Sequence, residues 1–397
     1  MKIDSSSTLP AIAPIEFLAI PAALDGHTGL NRNLSGRAQI AAKNDIEAIA
    51  AWLDRYAATK TTFESYRKEA ERLLLWSTLQ LGKPVSSLAH EDLLAYERFL
   101  ADPQPAARWV LPGKQKLKRD HPGWRPFAGP LAPTSQRQAM VILNAMFSWL
   151  VSAGYLMGNP LSLSRQRARK SSPKVARYLP PSVWQEVKAS VEGMPRETAR
   201  HREHYSRDRW ILSLLFLGGL RISELAENTM GVFYARRDRE SKERWWMSVT
   251  GKGNKVREVP ATDELMVELT RYRKTYELSP LPVTGDGTPL VLPIGGKVRA
   301  LTRMALHDVV KSIFAEAAQH VRRRGPEHEA VASLLEQASA HWLRHTSGSS
   351  MADGELDLRF LRDNLGHESL TTSSIYLHSE DDERHKQTEK ALRISWM

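Results

Sequence analysis

The chain has 397 residues and no cysteine; that length exceeds the usual ~100 to 200 residues of one domain, and the missing cysteines exclude a disulfide framework and Cys-ligated zinc. Lys and Arg number 56 against 45 Asp and Glu, a net charge of +11 with a sequence pI near 9.7, which favours a polyanionic partner such as nucleic acid. The early apolar stretch LPAIAPIEFLAIPAAL is interrupted by Pro10, Pro14, Glu16 and Pro21. It is a poor signal peptide and too short to span a bilayer, so a cytoplasmic protein without membrane spans is expected.

Residues 1–42 are rich in Ser, Pro and Ala without a sustained period and predict a flexible N-terminal arm. Asn44 or Asp45 can cap a first helix whose Ile46, Ile49, Leu53 and Tyr56 share a face. A second helix is predicted from the capping-box pattern Thr61 to Glu64. Ser87 to Asp102 and Ser135 to Gly154 supply a third and a fourth, so that residues 43–160 form a small all-helical domain ending at Asn159-Pro160. The long connection between the last two is too rich in proline for a helix, and Arg108, Lys114, Lys116, Lys118, Arg119 and Arg125 alternate there with Trp109, Trp124 and Phe127. That composition suits a contact that tracks a nucleic-acid backbone; the blander alternative is a solvated basic loop whose aromatics pack on the helices.

Residues 161–178 carry Arg165, Arg167, Arg169, Lys170, Lys174 and Arg177 with almost no acid, and predict a basic linker that crosses phosphates. A second domain, 179–397, opens with a helix capped by Ser182, followed by the polar run RETARHREHYSRDR, which has no evident role. RWILSLLFLGG predicts an apolar helix stopped at Gly218 and Gly219. Ser223 can cap the next helix, which puts Arg221 at a helix start where backbone N–H groups and the dipole favour an anion. WWMSVT, GKGN and KVREVP read as two strands with Lys252 in the turn. TPLVLPI predicts a further strand, LTRMALHDVVKSIFAEAAQHV a helix, and RRRGPEHEAVASLLEQASA an added turn and helix.

Near the C-terminus His341 and Arg344 stand three residues apart, His367 follows in Leu-Gly-His, and Tyr376 comes nine residues after that histidine. On a helix His341 and Arg344 share a face, and a guanidinium fork beside an imidazole suits a phosphate. His341 and His345 have the spacing of a zinc pair, but Trp342 stands where the metalloprotease helix needs glutamate, so no metal site is expected.

Arg221 in LFLGGLRISEL, Lys252 in TGKGNKVREVP, H-x-x-R at His341 and Arg344, His367 and Tyr376 occur in one order and spacing, and the chain thereby resembles the tyrosine recombinases, the phage integrase family. The resemblance covers about residues 175–380, with a weaker one over 45–160. It implies a mainly α catalytic domain with a small β-sheet (α+β) and an all-helical, SAM-like core-binding domain that clamps DNA. It implies a site-specific recombinase that cleaves and rejoins duplex DNA through a 3′-phosphotyrosine intermediate, serving a mobile genetic element, without metal or other cofactor. Tyr376 would be the nucleophile, Arg221 and Arg344 the phosphate-binding cations, His341 the base, Lys252 the acid for the 5′ oxygen and His367 a donor to a non-bridging oxygen. The implied partners are double-stranded DNA with inverted-repeat core sites and, on that DNA, three further copies in a homotetramer of a protein that is monomeric in solution. Two rivals are a type IB topoisomerase that relaxes DNA without a specific site, and a sequence-specific DNA-binding protein without catalysis.

Overall fold

The computed structural model describes residues 12–34, 36, 38–113, 117–164 and 177–367, with Lys252 described for its backbone alone. The chain divides into two compact units, Met1–Arg169 and Lys170–Met397.

In the first unit four long helices enclose one apolar core: α1 (Asp45–Asp54), α2 (Lys60–Trp76), α3 (His90–Ala101) and, after the four-residue α4 (Ala106–Trp109), α5 (Pro133–Ser152). Asn44 caps α1 by accepting the Glu47 N–H at 2.9 Å, as its residue type predicts. The second helix begins one residue before the predicted box, with Thr59 at the cap position and no side-chain cap bond. The third begins at His90, because Val85–Ser87 forms a separate 3-10 turn whose Ser86 N–H is held by the buried Asp45 carboxylate at 2.9 Å.

The predicted flexible arm is corrected over its described part. Pro14 and Pro21 interrupt any long helix over residues 12–34, but apolar side chains of the segment still pack on the core: Leu18 is buried, and Ile12, Ile15, Ile20 and, further on, Ile40 lie against it. Polar ties fix the segment as well, since Glu16 pairs with Arg67 and Arg119, and Arg32 bonds the Gly26 and Lys43 carbonyls and the Tyr155 hydroxyl. The connection after α3 departs from expectation in forming a helical turn, while two of its aromatics follow the blander of the two readings. Ala106–Trp109 manages one helical turn behind Pro105, and Trp109 and Phe127 are buried against Phe99, so these aromatics serve the core.

The second unit is mostly helical around a three-stranded antiparallel sheet in the order β1-β2-β3. Helices α6 (Pro181–Glu192), α7 (Ala199–Phe216) and α8 (Ile222–Glu227) precede strands β1 (Phe233–Arg237), β2 (Glu243–Thr250) and β3 (Val256–Ala261). There follow α9 (Asp263–Thr275), α10 (Arg303–Arg322), α11 (Glu329–Gln337), α12 (Ala340–Asp353) and α13 (Leu358–Leu365). Phe233 pairs with Met247 and Met247 with Val259, and all three side chains enter the core shared with α7, α9 and α10. Pro181 at the first helical position, not Ser182, starts α6 behind Pro180.

Strand β1 escapes the sequence reading because FYARR puts exposed arginines after its one buried residue, Phe233. TPLVLPI is not a strand. It is a buried irregular segment whose backbone is satisfied by other partners: the Leu290 N–H donates to the Asn228 carbonyl at 3.3 Å, and Trp210 Nε1–H donates to the Leu290 carbonyl at 2.7 Å. The polar run before Arg209 becomes the first half of α7. Arg209 there grips Glu268 of α9 at 2.6 and 2.8 Å and also reaches Glu192 of α6, so charge rather than apolar burial ties that half to its neighbours. The added α11 is joined to α10 by Arg322, which bonds Glu329 and Glu336, while Lys311 donates to the Ala338 carbonyl at 3.0 Å, two residues before α12 begins.

Candidate phosphate-binding site

The site lies wholly in the second unit, where three chain turns meet. At the first, α7 ends and the chain reverses through Gly219, whose φ is +55°. A Cβ there would sit 2.8 Å from Leu365 Cδ2, so backbone conformation and close packing both ask for glycine. Two residues later Arg221 is the N-cap of α8, and its N–H donates to Glu224 Oε2 at 2.7 Å. At the second turn, α12 carries His341, Arg344 and His345. At the third, α13 stops at Gly366, whose φ is +59°, and the His367 N–H returns to the Arg362 carbonyl at 3.0 Å.

Two guanidinium groups tie these turns together. Arg344, buried at 4% exposure, donates to the carbonyls of Gly219 and Leu365. Arg221 donates to the next carbonyl, that of Gly366, at 3.1 Å and to Glu224 Oε1 at 2.9 Å, with its side chain 36% exposed. Arg221 and Arg344 thus meet the end of α13 on consecutive carbonyls, beside His367. Trp342 and Leu343, between the two helix positions that serve the site, are buried in the core and hold α12 in rotation.

The residue that organises the site is Glu224, which the sequence reading does not single out. Its side chain is 1% exposed. Besides Arg221 it receives a two-pronged contact from Arg257, at 2.7 and 2.8 Å, and Arg257 Nε–H donates to the Asn364 carbonyl at 3.1 Å. Asn228 supports the same corner by bonding the Glu224 carbonyl and both backbone groups of Thr250. Burial raises the Glu224 pKa, but the Arg257 and Arg221 bonds outweigh it and hold the carboxyl below its ordinary 4.5. The signals for this pair were present as Glu three residues after Arg221 in RISEL and Arg in KVREVP, but their meeting is a tertiary fact.

The imidazoles sit in a cationic field. His367 is held down at about 4, first by burial and then by Arg344, Arg221, His345 and Arg257. His345 is likewise at about 4, from burial, His341, Arg344 and Arg177. His341 lies below its ordinary 6.5 through partial burial, Arg344, Arg177 and Arg221. All three are neutral near pH 7. Their depressed values make the unfolded chain take up protons first, so acidification from about 6.5 towards 4 lowers stability. Burial of arginines beside neutral imidazoles leaves a net positive pocket with hydrogen-bond donors, which is the demand of an oxyanion.

Lys252 opens the short turn Lys252–Asn254 between β2 and β3. Tyr376 lies outside the described residues, as do Lys114, Lys116, Arg165, Arg167, Arg169 and Lys170. In the first unit Lys118 is exposed. Arg119, by contrast, is engaged by Glu71 at 2.5 and 3.1 Å and by Glu16 at 2.6 Å, with its guanidinium 5.4 Å from the Trp124 ring. Arg125 donates to the Pro122 and Trp124 carbonyls, and the Arg108 guanidinium lies 5.7 Å from the Trp109 ring. Among the described residues no group of three or more metal-ligating side chains occurs, and no helix is long and apolar enough to cross a membrane.

The profile of the Phage integrase family matches residues 193–383. Tyrosine recombinase XerC of Corynebacterium efficiens is 31% identical over 252 residues, covering 62% of this chain and 67% of the relative. Tyrosine recombinase XerD of Brucella abortus is 26% identical over 352 residues, covering 88% and 96%. The chain belongs to the phage integrase family and is a tyrosine-type site-specific recombinase. Its fold is shared with the XerH site-specific recombinase bound to palindromic difH substrate, at a TM-score of 0.56 and 17% identity over 95% of this chain and 98% of that one. It is shared equally with the Tn1549 transposon integrase, at a TM-score of 0.56 and 17% identity over 87% and 98%.

Glu224→Gln tests the organising role. Removing one partner of a buried ion pair strands the Arg257 charge, and the variant is expected to lose about 3 kcal/mol at neutral pH. The wild-type carboxylate has a depressed folded pKa, so its contribution is present above 4.5 and fades as pH falls further. Urea midpoints of the two proteins therefore converge in strong acid. A gap that stays constant as the pH falls contradicts the assignment.

Proposed function

We propose that this recombinase attacks the scissile phosphodiester of duplex DNA with Tyr376, forming a 3′-phosphotyrosine and releasing a 5′ hydroxyl. The observation that carries the reading is the convergence of Arg221 and Arg344 on the Leu365 and Gly366 carbonyls beside His367. Two fixed cations and an imidazole together offset the phosphate charge that otherwise repels a nucleophile. Arg221 and Arg344 bind the non-bridging oxygens; arginines in this position are worth roughly 10³ to 10⁵ in rate. His367 donates a hydrogen bond to one of those oxygens.

A phenol with a pKa near 10 is about 0.1% ionised at neutral pH, so the attack needs a base as well as a cationic pocket. His341 takes the phenolic proton: it lies beside Arg344 on α12 and is neutral near pH 7, as a base must be. Lys252, at the tip of a two-stranded lever, gives the departing 5′ oxygen its proton. The tyrosyl ester conserves the bond energy, so the strands rejoin without ATP, metal or other cofactor.

The DNA partner carries inverted-repeat core sites, on which four copies of an otherwise monomeric protein assemble, and the enzyme serves the integration, excision or resolution of a mobile element in the bacterial cytoplasm and nucleoid. The helical first unit clamps the duplex as a core-binding domain, over residues 43–160, and the basic stretch 161–178 crosses phosphates to the catalytic domain, 179–397. Within the first unit's connection we assign phosphate contact to Lys114, Lys116 and Lys118, with Arg108 and Arg125 beside them. Arg119 is removed from that set because its guanidinium is engaged by Glu16 and Glu71.

Tyr376→Phe removes one oxygen and is expected to bind the duplex normally while forming no covalent adduct with a nicked suicide substrate on a denaturing gel. An adduct formed by the Phe variant places the nucleophile elsewhere.

Replacing Lys114, Lys116 and Lys118 together by Ala should weaken specific and random duplex alike. The slope of log affinity against log salt flattens by about 0.9 for each phosphate that is no longer neutralised. An unchanged slope makes the segment a solvated insertion, and a loss confined to the specific site makes it a reader of bases.

A further inference from the structure

Helix α12 places His341 and His345 one turn apart, and the two rings meet: Nε2 faces Nε2 at 2.9 Å, with ring centroids 4.2 Å apart and planes at 70°. Two lone pairs do not face each other at that distance, and neither do two N–H groups, so one ring donates and the other accepts. The groups facing His341 are Arg344 on its own helix, Arg177 ahead of α6 and Arg221 ahead of α8. Among the described residues those in the field of His345 are His341, Arg344 and Arg177, and His367 beyond α13 lies in the field of His345. None of these described neighbours is acidic. Cations and burial therefore keep both rings uncharged near neutrality, and each ring carries one N–H hydrogen.

The direction of the bond follows from the work of His341. If His345 donated, the lone pair of His341 Nε2 would be used up and its Nδ1 would carry the hydrogen, leaving no atom to accept a proton from a phenol. His341 is also the more exposed residue of the two.

We propose that His345 is a positioning residue for the strand-cleavage step: its Nε2 accepts the hydrogen of His341 Nε2 and so fixes the tautomer in which His341 Nδ1 is the base. In that step the Tyr376 O–H bond breaks and an N–H bond forms at His341 Nδ1. The phenolate oxygen bonds to phosphorus, and the P–O bond to the 5′ oxygen breaks with that oxygen protonated by Lys252. His341 becomes an imidazolium, and its Nε2–H bond to neutral His345 becomes charge-assisted at the moment the charge appears. The inference rests on the proposed roles of Tyr376 and His341, and it adds a second imidazole that acts through His341.

The test is single-turnover cleavage across pH of a duplex with a 5′-bridging phosphorothiolate, whose leaving group needs no proton. The variants are His345→Phe, which keeps a ring but no acceptor, and His345→Gln, whose side-chain oxygen can accept. A hydrogen bond to the charged form raises a pKa, so the Phe variant should lower the pKa of His341. It is expected to cleave roughly ten- to a hundredfold more slowly, a part of the ~10² to 10⁴ that a general base supplies, with its acid limb moved to lower pH. The Gln variant should recover most of the rate and the wild-type limb. A Phe variant with wild-type rate and limb overturns the proposal, and so do Phe and Gln variants that are equally slow with an unmoved limb, which is the signature of packing alone. Tyr376→Phe and His341→Ala run beside them separate the two levels: an adduct from the first, or wild-type phosphorothiolate cleavage by the second, places the failure in the underlying reading.

Discussion

The buried contact between Glu224 and two arginines is the constraint on which the site depends. One carboxylate orients Arg221 through its guanidinium and its backbone N–H, and takes the fork of Arg257, which in turn bonds the Asn364 carbonyl near the end of α13. A single charge therefore ties the start of α8, the third strand and the last described helix to one another. Burying a carboxylate is costly, and the cost is offset only because nearly every lone pair is used. Glycine at position 251 belongs to the same arrangement, since a Cβ there would lie 2.8 Å from Glu224 Oε1.

The consequence is preorganisation. Arg344 is held by two backbone carbonyls from segments far apart in sequence, Gly219 and Leu365, and carbonyls, unlike carboxylates, orient a guanidinium without cancelling its charge. Arg221 is half compensated by Glu224 and turned towards Gly366. On the proposed reading a phosphate entering this place would meet donors already in position, and electrostatic stabilisation that needs no rearrangement is worth most in catalysis. The same field keeps the imidazoles uncharged near neutrality. That suits a base, and it spares the two arginines the repulsion of further cations.

Much of the architecture was legible in the sequence because local rules carry it. The Asn44 cap, the apolar faces of α1, α2, α3 and α5, the glycine stop after α7 and the GKGN turn are all short-range signals. The motif spacing likewise pointed to Arg221, His341, Arg344 and His367 as a set. What escaped was tertiary in origin. FYARR shows one buried residue followed by arginines, and its strand character comes only from pairing with β2. TPLVLPI looks like a strand, but Asn228 and Trp210 satisfy its backbone instead. The proline-rich connection leaves two readings open in the sequence, and folding decides between them for its aromatics: Trp109 and Phe127 pack inside, and Arg119 is engaged by glutamates 48 and 103 positions away. Glu224 and Arg257 were invisible for the same reason, being separated by 33 positions and joined only by folding.

The central claim is that Arg221 and Arg344 are fixed beside His367 before DNA binds. The titration of His367 reports on this directly, because its neighbours and its burial set its proton affinity. In protein labelled at the histidine ring and free of DNA, an NMR titration should find His367 protonating at about 4. Its pKa should rise when a phosphodiester duplex occupies the site, as an anion favours the imidazolium. Titration of His367 near its ordinary 6.5 in the DNA-free protein would show that the guanidinium groups are not held there, and would contradict the account.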